Sequence, residues 1–441
     1  MKVQLHPQVG KEGEVRALLE SAFHAAVEAA QPALALAKLQ LEPAKGKTVV
    51  VGAGKAASSM AQALEARLIA LDWSFEQWPD RSSVVITRYG HLEPSPRPLD
   101  PHRPPIRVLE ARHPLPDAAG VGATQTLMAA LGPLTERDQV ICLLSGGGSA
   151  LLSAPWGVTL EQKIDLTQAL LRCGASIGEM NIVRKHLSKV KGGKLAALAF
   201  PARVRSLIVS DVVGDDLSSI ASGPTAPNRS SFEDALAVLE RYRIDAPEAK
   251  GHLLRGVGGA LREKEVRPHT FERVENELLI TNALALGAAK SQFERVGLSA
   301  HILSDRVEGE ARDAAREHAR AARLLTPGQV LLSGGETTVT VRGQGQGGRN
   351  LEFLLALALE LEGEEGLYAL AADTDGIDGV GDAAGAWISP GTLERAAQCG
   401  LDARARLEDN DAYHFFSALG DLLITGPTGT NVNDFRCIVR R

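Results

Sequence analysis

The stretch TVVVGAGKAASSMAQALEARLIAL, residues 48–71, changes character part-way along. TVVV is short, apolar and β-branched, as expected of a strand buried on both faces. Gly52 and Gly54 break it into a turn, and residues 56–71 read as the helix that follows. Strand, glycine turn, helix is the repeating unit of an α/β sheet, and ligands bind at such turns. QVICLLSGGGSALL (139–152) is a second unit of the same kind.

Other segments fit the same alternation. SVVIT (83–87), IRVLEA (106–111) and RVRSLIVSD (203–211) read as strands, and residues 117–131 read as a helix. Residues 160–198 are mainly helical, with interruptions near Gly174 and Gly192. Residues 13–39 form an N-terminal helix that Pro32 kinks or splits. HLEPSPRPLDPHRPP (91–105) is an exposed loop, because proline suits neither ladder nor helix. Periodicity fades over 242–252, where a boundary is expected. Beyond it the alternation restarts with ELLITN, SAHILSD, GQVLLSGG, TTVTV, YALAADTDG, LLITG and FRCIV. TTVTV follows GQVLLSGG too closely for a helical crossover, which predicts a mixed sheet.

The expected fold is therefore two α/β domains, the first a doubly wound, mainly parallel sheet and the second smaller and mixed. The divisions are an N-terminal helical segment over 1–40 that can pack on either domain, a Rossmann-like nucleotide-binding domain over 41–245, and an α/β domain over 253–441. The chain has 441 residues and a formal net charge of −6, so no basic excess points to nucleic acid. Cys142, Cys173, Cys399 and Cys437 are far apart, which supports neither a disulfide framework nor a cysteine zinc site. No apolar run approaches a membrane helix, and the start is too polar for a secretory signal. A cytoplasmic protein with no membrane partner is expected, and a homodimer is compatible with the sequence.

Several segments carry residues suited to anions and cations. Gly52-Ala53-Gly54-Lys55-Ala56-Ala57 has dinucleotide-turn spacing, but no acidic residue ends the next strand; Arg88 there leaves a 2′-phosphate open. Lys55 opposes the helix dipole unless an anion sits beside it; the alternative is a solvated lysine. Ser145, Gly146, Gly147, Gly148 and Ser149 can form an anion nest of successive N–H groups. Lys189, Lys191 and Lys194, preceded by Arg184 and Lys185, suit polyphosphate, although such a run is also found on solvated faces. Asp211 ends a buried strand, where it can hold Mg²⁺ or accept a hydroxyl proton. Asp215 and Asp216 are equally suited to a turn or cap. Arg349 opens a helix after two glycines and matches a carboxylate or phosphate; a surface ion pair with Glu352 is the alternative. Asp373 and Asp375 sit in an acidic glycine loop at a strand end, and Asp378 in the same loop also fits a structural turn. His113, beside two prolines, reads as structural.

These segments also carry a resemblance. VGAGKAASSM, ARHPLPDAAG, LLSGGGSALL, MNIVRKHLSKVKGGKLA, SDVVGDDLSSIASGPT, LLSGGETTVTV, GGRNLEF, AADTDGIDG and GPTGTNVND, in this order, resemble the glycerate 2-kinase family, whose C-terminal part is the MOFRL domain. The resemblance runs from about Lys47 to the C-terminus. It implies ATP-dependent phosphorylation of D-glycerate at the 2-hydroxyl, with a divalent cation, in a cleft between two α/β domains. It places the family's functional lysine on Lys55, its arginine on Arg349, and its carboxylates on Asp211 and the Asp373/Asp375 loop. On this reading Ser145–Ser149 and the three lysines hold the ATP phosphates. Gly54, Lys55 and Arg349 meet the substrate, with Arg349 on its carboxylate and Lys55 on the transferring phosphoryl group or that carboxylate; exchanging the two roles fits the sequence equally well. Asp211, Asp373 and Asp375 serve Mg²⁺, and Asp211 or Asp375 alternatively orients the attacking hydroxyl. Members of the family have also carried a hydroxypyruvate reductase label, which makes NAD(P)H-dependent reduction the second reading.

Overall fold

The structure, a computed structural model, describes residues 7–92, 100–261 and 266–441. The core of the expected proline loop, 93–99, lies outside the described residues. The chain divides into two units. One comprises Pro32–Ser210 and Asp215–Leu279; the other comprises the segment ending at Gln31, Asp211–Gly214 and Ile280–Arg441.

The first unit is built on β1 (Thr48–Ala53), β2 (Val84–Arg88), β3 (Arg107–Ala111), β4 (Gln139–Leu144), β5 (Arg203–Val209) and β6 (Val274–Ile280). Their order across the sheet is β3-β2-β1-β4-β5-β6. All pairings among β1 to β5 are parallel. β1 is buried at every residue, and β4 at all but its first, which explains their unbroken apolar sequences. Chain order reverses between β1 and β4, so the sheet has a topological switch point there.

The second unit carries β7 (Ser299–Glu310), β8 (Gln329–Thr338), β9 (Leu367–Asp373), β10 (Gly385–Ile388), β11 (Leu422–Leu423) and β12 (Asp434–Arg440), in the order β11-β10-β9-β12-β8-β7. β7 and β8 are parallel and every other pair is antiparallel. The sheet is mixed, as expected, but not for the expected reason. TTVTV is no separate strand: its first two residues extend β8. The antiparallel members are β9 to β12, and β10 is a strand the sequence reading did not identify. The helices Ala311–Arg323 and Arg349–Leu361 cover this sheet through buried alanines, leucines and Phe353.

The boundary between the units differs from expectation. ELLITN straddles the boundary: its residues 277–280 end β6, beside β5 at the edge of the first sheet, and the second unit starts at Ile280. The helix Pro247–Val257, in the region expected to hold the boundary, buries Ala249 and Leu253 in one cluster with Val238 and Leu239 of the helix Phe232–Arg241. The chain therefore passes between units at Leu279 and Ile280. The N-terminal helix ends at Ala29, and a short helix starts at Pro32, as the proline predicts. The longer piece belongs to the second unit: Phe23 meets Phe435 edge-on at 5.7 Å, and Ser21 Oγ accepts from Gln292 at 2.6 Å.

Candidate active site

Ala53 and Leu144 are register partners, so the turns after β1 and β4 leave the sheet at the same level, beside the switch point. The two turns clasp each other. Lys55 N–H donates to Gly146 O at 2.7 Å and Ala56 N–H to Ser145 Oγ at 3.1 Å, while Ala57 N–H returns to Gly54 O at 3.1 Å. Gly54 adopts φ +149°, and a Cβ there would lie 2.0 Å from Ser145 Oγ. The glycine is therefore required by the neighbouring turn. In a dinucleotide turn the same N–H groups would face a pyrophosphate.

The second turn keeps its own donors. Gly148 N–H closes a turn onto Ser145 O at 3.3 Å. The N–H groups of Gly146, Gly147 and Ser149 take no partner among the described residues. Gly147, at φ +79°, is the N-cap of the short helix Gly148–Leu151. A Cβ on Gly147 would lie 3.2 Å from Lys55 Cγ and 3.1 Å from His113 Cδ2. Lys55 and His113 thus flank the glycine loop. His113, expected from the two prolines beside it to be structural, stands beside the loop instead; its place in the ARHPLPD segment is the only signal of this in the sequence. Ser149 Oγ lies 2.8 Å from Ser222 Oγ, which in turn donates to Asn181 Oδ1 at 3.1 Å.

Beside the loop lies a set of buried cations. Lys191 is fully buried and donates to Leu152 O. Lys163 donates to Ser153 Oγ at 3.2 Å, and Lys194 to Lys185 O at 2.8 Å. Their recorded acceptors are carbonyls and a hydroxyl, with no carboxylate among the described residues. Burial, then Arg184, pushes the Lys163 ammonium down to about 8. Burial, then Lys185, pushes Lys194 down to about 8. Lys191 is pushed well below its ordinary value by burial and by its lysine and arginine neighbours. Clustered cations without carboxylates are a prepared anion environment. Lys189, expected in this group, is exposed. Lys163, not anticipated from the sequence, is a member.

The second unit has the opposite charge. Arg349 Nε donates to Asp434 Oδ1 at 2.7 Å, Nη1 to Glu336 Oε1 at 2.8 Å and Nη2 to Asp373 Oδ2 at 2.9 Å. Three carboxylates on one guanidinium hold its proton well above the ordinary value, against the opposing effect of burial. The expected grip of Arg349 on a substrate carboxylate would compete with these partners. Glu352, suggested as its ion pair, binds Arg312 instead, at 2.6 Å. Arg436 also pairs with Asp434. Asp378 accepts from Asn350 and Leu351 N–H at 3.1 and 2.9 Å, capping the helix that Arg349 opens. Burial nevertheless raises its carboxyl to about 6.

Asp373 Oδ1 accepts from Asp375 N–H at 3.0 Å, and Asp375 Oδ1 from Ile377 N–H at 2.9 Å. Asp211 accepts from Asn431 Nδ2 at 3.1 Å through its carboxylate and from Asn433 Nδ2 through its carbonyl. Asn433 O in turn accepts from Thr374 Oγ1 at 2.7 Å. Asp211 and the Asp373–Asp375 loop are thereby tied into one network. Among the described residues no three His, Cys, Asp or Glu side chains form a metal-ligand group, so the expected Asp211, Asp373, Asp375 set is not a closed cage. Asp216, which accepts from Ser218 Oγ at 2.7 Å and Ser219 Oγ at 2.6 Å, serves a turn.

Comparison with known proteins identifies the family. Residues 18–255 match a family described as a domain of unknown function, DUF4147, and residues 329–434 match the MOFRL family. A D-glycerate 2-kinase of Thermotoga maritima is 41% identical over 90% of this chain and 91% of its own. A protein of Agrobacterium vitis with a provisional hydroxypyruvate reductase name is 45% identical over 96% of this chain and 94% of its own. The crystal structure of a Thermotoga maritima glycerate kinase superposes with a TM-score of 0.83 at 39% identity, covering 97% of this chain and 100% of that one. Two family domains in order, over relatives matched nearly end to end, place the chain in the glycerate 2-kinase family.

Proposed function

We propose that the protein transfers the γ-phosphoryl group of ATP to the 2-hydroxyl of D-glycerate, giving 2-phosphoglycerate and ADP. The observation that carries the reading is the clasp at the switch point. It uses the N–H groups of the first glycine turn internally and leaves those of the second, flanked by Lys55 and His113 and backed by buried lysines. Phosphoryl transfer relies on positioning and charge neutralisation, which such a set supplies. Relatives named as glycerate kinases support the substrate.

The 2-hydroxyl oxygen bonds to the γ-phosphorus as the bond to the β,γ-bridging oxygen breaks; the electron pair leaves with ADP. Gly146, Gly147 and Ser149 N–H groups hold phosphate oxygens. Lys55 neutralises charge on the transferring group or on the glycerate carboxylate. Asp211 or Asp375 accepts the hydroxyl proton. Arg349 serves first to hold Asp434 ionised and to fix Asp373 in place. Mg²⁺ carried on nucleotide phosphates needs only one or two protein carboxylates, so the lack of a closed cage is no misfit, and Asp373 and Asp375 suit it. Bound there, it would neutralise phosphate charge.

The provisional name of the Agrobacterium vitis relative favours hydroxypyruvate reduction as a second reading. That chemistry needs a dinucleotide at the first glycine turn, whose N–H groups are already taken. Incubation with D-glycerate, ATP and Mg²⁺, read by phosphorus NMR, tests the proposal. We expect 2-phosphoglycerate. 3-Phosphoglycerate would overturn the regiochemistry. NAD(P)H oxidation with hydroxypyruvate and no phosphorylated product would overturn the kinase.

A further inference from the structure

Aromatic residues are only 4% of this chain, yet Trp156, Phe232 and Phe271 line one pocket of about 700 Å³. Its size is ordinary for a small-molecule site. Trp156 and Phe232 meet edge-on at 6.2 Å and both are partly buried; Phe232 also packs against the helical core cluster of this unit, while part of each ring stays exposed to the pocket. Lys194 and Gly192 form another wall. Lys194 Nζ sits 5.6 Å from the Trp156 ring and donates to the carbonyls of Lys185 and Lys191, with no carboxylate reaching it among the described residues. An aromatic wall beside such a cation matches a ligand that is itself a flat ring joined to an anion.

The pocket is also connected to the glycine loop. Gly192 N–H donates to Ser222 O at 3.0 Å, and Ser222 Oγ lies 2.8 Å from Ser149 Oγ. Two hydrogen bonds therefore link the pocket wall to the end of the phosphate-binding turn. All these residues belong to the parallel-sheet unit.

We infer that the Trp156–Phe232–Phe271 pocket seats the base of the phosphoryl-donor nucleotide, with Lys194 on its phosphate chain and the chain running past Gly192 toward Ser149. The assignment rests on the kinase reading for its ligand. Stacking on an aromatic side chain contributes about 1–3 kcal/mol per base, so losing one ring weakens binding about 5- to 150-fold.

Two measurements test this. ADP, titrated without glycerate, should change the tryptophan fluorescence of the wild-type protein saturably, and Trp156→Phe should abolish the change. Phe271→Ala should raise the KM for ATP at least fivefold and leave the KM for glycerate unaltered, while inorganic tripolyphosphate, lacking a base, should inhibit variant and wild type equally. No fluorescence response at saturating ADP, or an unaltered KM for ATP in Phe271→Ala, would overturn the assignment. The fluorescence arm needs no ring deletion, so it decides even where Phe271→Ala does not fold. Failure of the kinase reading looks different: no phosphorylated glycerate from the wild type with any nucleotide, whatever ADP does to the fluorescence.

Discussion

Replacing Lys163 by methionine should stabilise the protein at neutral pH and impair it as an enzyme. Lys163 lies in the helix Leu160–Arg172, is 7% exposed, and has the Ser153 hydroxyl as its recorded acceptor. A fall from 10.5 to about 8 corresponds to roughly 3 kcal/mol of penalty on the charged form. Methionine removes that penalty and keeps most of the side-chain volume, but loses one hydrogen bond of about 1 kcal/mol. The net expectation is a gain of about 2 kcal/mol at pH 7. The sign of the pH dependence follows from linkage. Below about 8 Lys163 is charged in both folded and unfolded chains, and the penalty is fully present. Between about 8 and 10.5 the folded protein has released the proton that the unfolded chain retains, so wild-type stability rises with pH through this window. The advantage of methionine should therefore shrink from pH 7 to pH 10. Urea unfolding of both proteins at the two pH values measures it. Inorganic triphosphate at pH 7 should stabilise the wild type more than the variant, because the anion offsets the buried charge only where the charge exists. A variant less stable than wild type by the same amount at both pH values would refute the reasoning, since Lys163 would then be well compensated.

Three further substitutions address the site. Lys55→Ala should abolish turnover with an unchanged thermal midpoint; near-normal turnover would remove Lys55 from its assigned role. Arg349→Ala should leave Asp373 and Asp434, 7% and 0% exposed, without their shared cation. Loss of about 3 kcal/mol of stability is expected along with activity, so a change confined to the KM for glycerate, with stability intact, would return Arg349 to the substrate. Gly54→Ala forces a Cβ to within 2.0 Å of Ser145 Oγ and should destabilise by about 1–3 kcal/mol while weakening ATP binding. An unchanged KM for ATP would show that the clasp does not position the second turn.

What the sequence revealed was local. β1 and β4 were readable because a strand buried on both faces has an apolar sequence whatever its neighbours are, and β5 through its buried C-terminal half. The turns after β1 and β4 were readable because their glycines are required where they stand. β6 could not be assigned to its sheet, because pairing across Val274–Ile280 involves residues distant in the chain. β10 is four residues, too short for any periodicity to accumulate. Lys163 lies on an amphipathic helix and looks like any surface lysine; only tertiary packing buries it. The same holds for Trp156, Phe232 and Phe271, which are scattered through a sequence poor in aromatics and become a wall only when folded.

The two glycine turns show most clearly what folding adds. Each alone fits a phosphate site, and the first has the better-known spacing. A backbone N–H can serve one strong acceptor, so the two turns are in competition once Ser145 and Gly146 supply acceptors to the first. Gly54 then has a complete explanation in the neighbouring backbone and needs no ligand. Gly146 and Gly147 do not: their N–H groups take no partner among the described residues, and Lys55 and His113 stand over the loop. A turn whose donors are satisfied internally is scaffold, and a turn whose donors take no partner among the described residues, with a lysine beside it, is a place for an anion. By that argument the first turn serves the second, and a hydride-transfer cofactor at the first turn would compete with the partners its N–H groups already have.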